Sequence, residues 1–250
     1  MKKNVMMRLA CFLLVAVLIS TSAISGTYAK YVTKAEGTES ARVAEWGVEV
    51  GVKGLNNAAD GLFVKTYAAD DPATGIATTV EAEDKVVAPG TKNTNAVSFT
   101  LKGTPEVAVQ IDIVVDKATD VFLPAGTYTD WTESVDGAYS KTYTANDYYP
   151  VVFKLVDNAS PSIALFEGTL ADLKTYLEGA TGEYEPNEDL SKLFATNGSG
   201  EYTLTWEWVF ETGHDKEDTT LGNIAAGIET IAGASVELDF AISITATQID

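Results

Sequence analysis

Side chains that could carry out catalysis are few in this 250-residue chain. His214 is the only histidine, so a zinc site on a His-Glu-x-x-His helix is impossible. A Ser-His-Asp site would have to use His214, which lies in a polar turn where a solvated histidine is the simpler interpretation. No spacing singles out a pair of glycosidase-type carboxylates among the 36 acidic residues, and no phosphate-binding glycine loop is present. The sequence therefore favours a protein that is not an enzyme.

Clusters of acidic residues offer a different chemistry, the binding of calcium. The best candidate is formed by Asp215, Glu217 and Asp218, and two further clusters lie at 81–84 and 183–189. Calcium takes about six to eight oxygen ligands, several of them usually from one tight loop. None of the clusters has the Asp-x-Asp-x-Asp-Gly spacing of such a loop, so solvated loop charge is the alternative interpretation. Apart from this weak calcium site, we expect no cofactor.

Aromatic side chains are concentrated between 128 and 149, among threonine, serine and aspartate. Three of them, Trp131, Tyr139 and Tyr143, are candidates for an exposed surface that stacks on sugar rings or on a partner protein. The alternative is that they form cross-strand pairs that stabilise a hairpin. Asp136-Gly137 predicts a two-residue turn for such a hairpin.

The first 29 residues have the anatomy of a secretion signal. Three basic residues precede an apolar run over 9–19, and small residues follow up to Thr27 and Ala29. The run is too short to span a bilayer. This pattern predicts a signal peptide over 1–29 that is cleaved between Ala29 and Lys30, and a protein that is secreted to the extracellular matrix or the cell surface. Cleavage after residue 23 or 26 and an uncleaved membrane anchor are the alternatives.

Cysteine use and charge limit what the mature chain can bind. The only cysteine, Cys11, lies within the signal, so the mature chain has no disulfide, no thiol nucleophile and no cysteine-ligated metal. The formal charge is −19, and loss of 1–29 removes three positive charges and no negative one, which leaves −22. Nucleic acid and anionic membranes attract clustered Lys and Arg, so we expect neither as a partner after signal cleavage.

Alternation of apolar and polar residues dominates the mature chain. It is longest over 202–210 and 236–246, and it recurs over 46–52, 97–101 and 107–115, with a shorter apolar strand over 151–156. Alternation of this kind is typical of strands with one buried face and one solvated face. The pattern predicts an all-β fold, an antiparallel β-sandwich.

One or two short helices are expected on the connections between strands. Thr169 can cap a helix over 170–178, and Asp218 can cap a weaker one that extends to Ile231 and contains Gly222 and Gly227. No domain boundary is visible within 43–250. We therefore predict a single sandwich domain there, with insertions around 56–84 and 122–200.

Short motifs at both ends of the chain resemble the TasA/camelysin family of Gram-positive bacteria. They are Thr-Tyr-Ala-Lys-Tyr at 27–31, Ala-Arg-Val-Ala at 41–44 before Trp-Gly-Val at 46–48, Ala-Pro-Gly at 88–90, and Ile-Ser-Ile-Thr-Ala-Thr-Gln at 242–248. The resemblance covers both ends and hardly extends to the middle, about 122–200. The camelysin name carries a protease association, but nothing in this chain supplies the metal ligands of such an enzyme.

The resemblance implies a jelly-roll-like sandwich and a structural role in extracellular fibres of a biofilm matrix. A dedicated signal peptidase would expose an extended N-terminal segment, 30–42, as a donor strand for the next subunit. In this chain Tyr31 and Val32 would anchor the donor in its acceptor. The partner would be the chain itself, in a head-to-tail homopolymer, with other matrix or surface components left open. The alternatives are an N-terminus without a partner, a monomeric secreted or cell-surface module that binds a glycan or a host protein through 128–149, and, more distantly, a secreted hydrolase.

Acidity sets a condition on such an assembly. Subunits of charge −22 repel one another, and salt screens exposed charges over about 8–10 Å at physiological strength. We therefore expect assembly to be faster with added salt or calcium, or as the pH approaches the calculated pI of 4.3.

Overall fold

The computed structural model describes residues 32–36, 40–43, 47–54, 62–63, 66–67, 86–134, 137–209 and 213–249. The chain divides into two compact units, Met1–Val32 and Thr33–Asp250. The described strands and helices belong to the second unit, except that the first strand begins at Val32.

Strands make up most of the described part of the chain. In chain order they are β1 (Val32–Glu36), β2 (Ser40–Val43), β3 (Val48–Lys53), β4 (Thr66–Tyr67), β5 (Thr91–Lys102), β6 (Val109–Thr119), β7 (Gly126–Thr129), β8 (Thr142–Ala145), β9 (Val151–Asp157), β10 (Ala164–Gly168), β11 (Gly182–Tyr184), β12 (Glu201–Trp208) and β13 (Asp239–Gln248).

Two sheets enclose the core. One has the strand order β1-β13-β6-β11, and the other has the order β10-β9-β12-β5-β3-β2 with β4 also paired to β5. Strands β7 and β8 form a separate hairpin. The pairings whose register is described are antiparallel, and buried apolar side chains from both sheets form one continuous cluster between them. The predicted all-β antiparallel β-sandwich is confirmed.

Alternation in the sequence corresponds closely to the two faces of the strands. In β12 the side chains of Tyr202, Leu204, Trp206 and Trp208 are buried, and the residues between them face outward. In β13 the buried set is Phe240, Ile242, Ile244 and Ala246. Strand β13 begins at Asp239, later than the alternation from 236 predicts, and residue 210 at the end of the other pattern lies outside the described residues.

Helix α1 spans Leu170–Glu178 as predicted, because its N-cap residue and the spacing of its apolar residues both favour a helix over this range. The Thr169 side chain accepts a hydrogen bond from the Asp172 N–H at 3.2 Å. Leu170, Leu173 and Leu177 recur at helical spacing and are buried against the sandwich.

Helix α2 spans Asp215–Ala225, so the prediction that Asp218 caps it is wrong. The helix begins after His214 and ends two residues before Gly227, which has a φ of +72°. That left-handed conformation stops the helix, so Ile228 lies beyond it with 62% of its surface exposed. Neither α1 nor α2, nor any other helix in the described ranges, is long and apolar enough to cross a membrane.

The predicted insertion around 122–200 is wrong. This range contains β9, which lies between β10 and β12 and buries Val151, Phe153 and Leu155 completely or nearly so. It also contains β11, which belongs to the other sheet. The predicted insertion at 56–84 falls largely outside the described residues.

The predicted hairpin is present, but its turn is longer than the Asp136-Gly137 pair implies. Strands β7 and β8 pair from Gly126↔Ala145 to Thr129↔Thr142, and the Asp130 N–H continues the ladder by donating to the Lys141 carbonyl at 2.8 Å. Gly137 has a φ of +80°, as a tight turn requires, whereas Asp136 lies outside the described residues.

Candidate functional site

The N-terminal segment supplies an edge strand to each sheet. Strand β1 is the edge of the four-stranded sheet, next to β13, and β2 is an edge of the larger sheet, next to β3. The predicted donor segment 30–42 therefore contributes to two sheets. Val32 lies in β1, whereas Tyr31 and the cleavage residues Ala29 and Lys30 lie outside the described residues.

Strand β13, the neighbour of β1, is held firmly by the rest of the sandwich. It pairs with β6 along its whole length, from Asp239↔Thr119 to Gln248↔Val109, with one irregularity at Ala241/Ile242. Its inward side chains belong to the core cluster. If β1 left, the edge of β13 would present a row of unpaired N–H and C=O groups on a rigid support.

The opposite edge of the same sheet is closed by side chains from α1 and the residues after it. Strand β11 pairs with only the first residues of β6, up to Ile111. Beyond that point the Thr181 hydroxyl accepts a hydrogen bond from the Ile113 N–H at 2.9 Å and donates to the Ile113 carbonyl at 3.2 Å. Both backbone groups of Ile113 are thereby satisfied without a partner strand.

Two further side chains complete this closure at Val115. Glu178 accepts a hydrogen bond from the Val115 N–H at 3.0 Å, and the Lys174 ammonium donates to the Val115 carbonyl at 2.7 Å. Lys174 and Glu178 also form an ion pair of 3.4 Å with each other. A helix over a sheet edge is one of the ways in which proteins block strand addition. This arrangement is not visible in the sequence, because its partners lie about sixty residues apart.

Asp120 joins the end of β6 to the start of α1. Its Oδ2 accepts a hydrogen bond from the Leu170 N–H at 2.9 Å, while its Oδ1 has no hydrogen-bond partner among the described residues. The residue is only 8% exposed. Burial raises the pKa of Asp120 to about 6, against the lowering effect of backbone hydrogen bonds from Leu170 and Val121.

Tyr143, one of the three predicted surface aromatics, packs between the β7–β8 hairpin and α2. It lies directly opposite Tyr128 in the β7–β8 register, with ring centroids 6.0 Å apart. Its hydroxyl lies 2.9 Å from the Thr220 Oγ1 on α2, and burial raises the pKa of Tyr143 to about 12. For this residue the cross-strand interpretation is the better one.

Trp131 and Tyr139 form a second aromatic pair, nearer to solvent. Their ring centroids are 5.2 Å apart at 48°, and Trp131 donates its indole N–H to Glu229 at 2.8 Å. Trp131 is half-buried, whereas Tyr139 is 49% exposed. The exposed aromatic surface therefore centres on Tyr139, with Trp131 behind it.

Helix α2 is attached to the hairpin by an ion pair. The Lys216 ammonium lies 2.6 Å from the Asp130 carboxylate, which is buried. The hydrogen bond from Lys216, followed by one from Thr132, holds the pKa of Asp130 at about 2. This pair was not predicted from the sequence, in which its two residues are remote from each other.

In the acidic cluster predicted to bind calcium, Asp218 is engaged in hydrogen bonds with aromatic side chains. The Asp218 carboxylate accepts hydrogen bonds from the Tyr148 hydroxyl at 2.8 Å and the Trp208 indole N–H at 3.1 Å, and its burial raises its pKa. Asp215 is exposed on the same first turn, and Glu217 lies 3.6 Å from the His214 ring nitrogen. Among the described residues no group of three or more His, Cys, Asp or Glu side chains can hold a metal ion. Calcium binding stays a prediction without geometric support.

A groove of about 540 Å³ lies beside α2 and the start of β13. Its described lining is largely apolar, with Phe63, Trp208 and Leu221 among its walls. The titratable residues in that lining are Asp218, which is already hydrogen-bonded, and Asp239. These residues do not form a nucleophile and a base.

Comparison of the chain with protein-family models, with curated proteins and with solved structures found no match. The resemblance to the TasA/camelysin family thus rests on the short motifs at the two ends of the sequence and stays a prediction.

Proposed function

We propose that the mature chain is a secreted structural subunit that assembles into extracellular fibres of a biofilm matrix. In this proposal the β1 segment of one subunit replaces β1 beside β13 of the next subunit. The observation that carries the proposal is the position of β1, which occupies an edge of the sandwich and is bonded to one strand alone. An extended segment from a neighbour would satisfy the same backbone groups of β13.

The contrast between the two edges of the four-stranded sheet favours growth in one direction. Side chains of Lys174, Glu178 and Thr181 occupy the backbone groups at the β6 edge, so strand addition there is blocked. At the β13 edge the described partner is β1, which is close to the predicted cleavage site. Head-to-tail repetition of one such contact does not close on itself, so it generates a filament.

We also propose that the sandwich is a jelly roll, and the order of its strands supports this. Strand pairs nest inside one another along the chain, with β9 beside β10, β6 beside β11, β5 beside β12, and β1 beside β13. A long hairpin rolled into two facing sheets produces this nesting, and such double sheets are the architecture of jelly rolls.

Electron microscopy of two purified chains, Lys30–Asp250 and Ala41–Asp250, tests the proposal. We expect fibres from the first chain only, and faster fibre growth with added salt because salt screens the repulsion between acidic subunits. A synthetic peptide of residues 30–40 should raise the melting temperature of the shorter chain by occupying the open β13 edge.

A matched variant separates strand pairing from mere chain length. Thr33→Pro with Lys34→Pro keeps the length of Lys30–Asp250 but removes two successive N–H groups of β1, and since successive N–H groups of a strand point to opposite sides, one of the two is on the side of β13. Fibres should be lost or strongly reduced, whereas the conservative Thr33→Val should retain them. Monomers from every chain, or fibres from Ala41–Asp250, would contradict the proposal.

The exposure of Tyr139 favours a second candidate function, a monomeric module that binds a neutral glycan. Tyr139→Ala should weaken retention on immobilised glycans or cell-wall material at least several-fold, because an exposed aromatic ring offers a large apolar face on which a sugar ring can stack. The melting temperature should change little, since the ring is half in solvent.

Two controls accompany this test. Tyr143→Phe removes a hydroxyl that contacts Thr220 between the β7–β8 hairpin and α2, so it should lower the melting temperature without changing glycan retention. Trp131→Ala breaks the bond to Glu229 and should change both readouts. Equal retention by wild type and Tyr139→Ala would exclude this binding surface.

A further inference from the structure

We infer that the outer face of the seven-stranded sheet is a lateral contact surface for a second copy of this chain. This inference deepens the proposed fibre function and rests on it only for the bundling of fibres. The face is crossed by ion pairs between neighbouring strands: Lys92–Glu207 at 3.9 Å, Lys102–Glu49 at 3.8 Å, Lys102–Glu201 at 2.5 Å and Lys154–Glu167 at 3.7 Å.

The sign of the charge alternates from strand to strand across this face. Strand β10 contributes Glu167, β9 contributes Lys154, β12 contributes two glutamates, β5 two lysines, and β3 Glu49. Lys53, exposed at the end of β3, is the exception.

Between the charges the outward residues are short and uncharged. Ser98 and Thr100 on β5 and Thr203 and Thr205 on β12 alternate with the buried residues of those strands. Adjacent strands in a sheet are about 4.8 Å apart. A second copy laid face to face and displaced by one strand would therefore place each acidic row against a basic row.

The other outer face of the sandwich lacks this balance. There the described outward charges of β6 and β13 include Asp112, Asp116 and Asp239, and Lys117 is paired with Asp239 at 3.1 Å. In a chain of charge −22, the seven-stranded face is thus a surface on which two copies can approach without net repulsion.

The size of the face suits a weak contact that is repeated many times. Six strands in a row span about 24 Å between their axes, and strands of about seven residues are about 23 Å long, which gives on the order of 550 Å². That area is below the roughly 800 Å² per partner of a standard stable interface. Copies held along a fibre would present the contact repeatedly, and repetition multiplies a weak affinity.

Charge reversal on the face tests the inference. K92E with K154E makes the face predominantly acidic, with Lys102 left between Glu49 and Glu201, and E167K with E207K makes it predominantly basic. Each variant alone should show at least tenfold weaker self-association of freshly prepared Lys30–Asp250 in sedimentation velocity at low salt, and single fibres in place of bundles. An equimolar mixture of the two variants should associate again, because their faces are complementary.

The control carries the same net charge as the acidic variant but changes other surfaces. K117E with K141E alters two exposed lysines that lie on β6 and next to β8. This control should self-associate to the same extent as wild type. Circular dichroism first establishes that the variants compared have equal melting temperatures. Equal loss in the control, or a mixture that does not associate, would overturn the inference. Because sedimentation reads the unassembled chain, this result stands even if no chain forms fibres.

Discussion

The free energy of unfolding should fall by about 3 kcal/mol as the pH rises from 3 to 7, through Asp120 alone, and an Asp120→Asn variant should lack this fall. The folded-state pKa of Asp120 is raised from 3.8 to about 6 by burial. The folded protein therefore holds this proton more tightly than the unfolded chain does. A shift of about two units corresponds to about 3 kcal/mol.

The sign of the effect follows from that order of pKa values. The stabilising contribution is fully present below about pH 3.8 and is lost as the pH rises through about 6, where the buried carboxyl ionises. Asparagine stays neutral and can still accept from the Leu170 N–H. The Asp172 carboxylate on α1 adds to the effect in wild type, because its charge opposes a second negative charge at Asp120.

Urea denaturation of wild type and Asp120→Asn across this pH range gives the measurement, as the difference between the two curves. Taking the difference removes the contributions of other carboxyls, among them Asp130, whose pKa is lowered to about 2. Asp116→Asn, which makes the same charge change at an exposed residue of β6, is the control for the loss of one carboxylate. A flat difference for Asp120→Asn, or the same difference for both variants, would contradict the prediction.

Leu173→Ala should lower the free energy of unfolding by about 2–5 kcal/mol, the range seen for truncation of a fully buried leucine. Leu173 is completely buried in the middle of α1, on the face that holds this helix against the sandwich. The same change loosens the helix that carries Lys174 and Glu178 to the β6 edge. We therefore also expect irregular aggregation, detectable by light scattering, in the Ala41–Asp250 chain, which has no donor strand.

Two variants of the same helix make this result interpretable. Leu173→Met nearly conserves volume and should cost less than about 1.5 kcal/mol. Thr175→Ala lies on the exposed side of α1 and should change stability by no more than about 0.5 kcal/mol, without aggregation. Aggregation that is equally strong in Thr175→Ala would show that α1 does not protect the edge. A loss below about 1 kcal/mol in Leu173→Ala would contradict the predicted contribution of this side chain to stability.

The sandwich was predictable from the sequence because its strands have one buried face. Alternation in β12 and β13 identifies Trp206 and Ile244 as core residues without any knowledge of their partners. Helix α1 was equally predictable, because its cap at Thr169 and its leucines are local signals.

The edge closure and the buried carboxyls were not predictable, because their partners are remote in sequence. Asp120 meets the Leu170 N–H fifty residues later, and Val115 meets Glu178 at a separation of 63. A polar residue at the end of a strand gives no sign of such a contact. The start of α2 was missed for a different reason, since its N-cap residue is His214, whose side chain makes no capping hydrogen bond that a local pattern could indicate.

The nested order of the strands has a consequence for how the chain folds. Strands β9 and β10 are separated by a short turn, whereas about 200 residues lie between β1 and β13. Closing a loop of about 200 residues costs about 2.7 kcal/mol more than closing one of about 10, so the pair at the two ends of the chain forms last. Until it forms, each molecule has both a free first strand and an open place for one. Subunit concentration during that interval then decides whether the β13 edge pairs with β1 of the same molecule or with β1 of a neighbour.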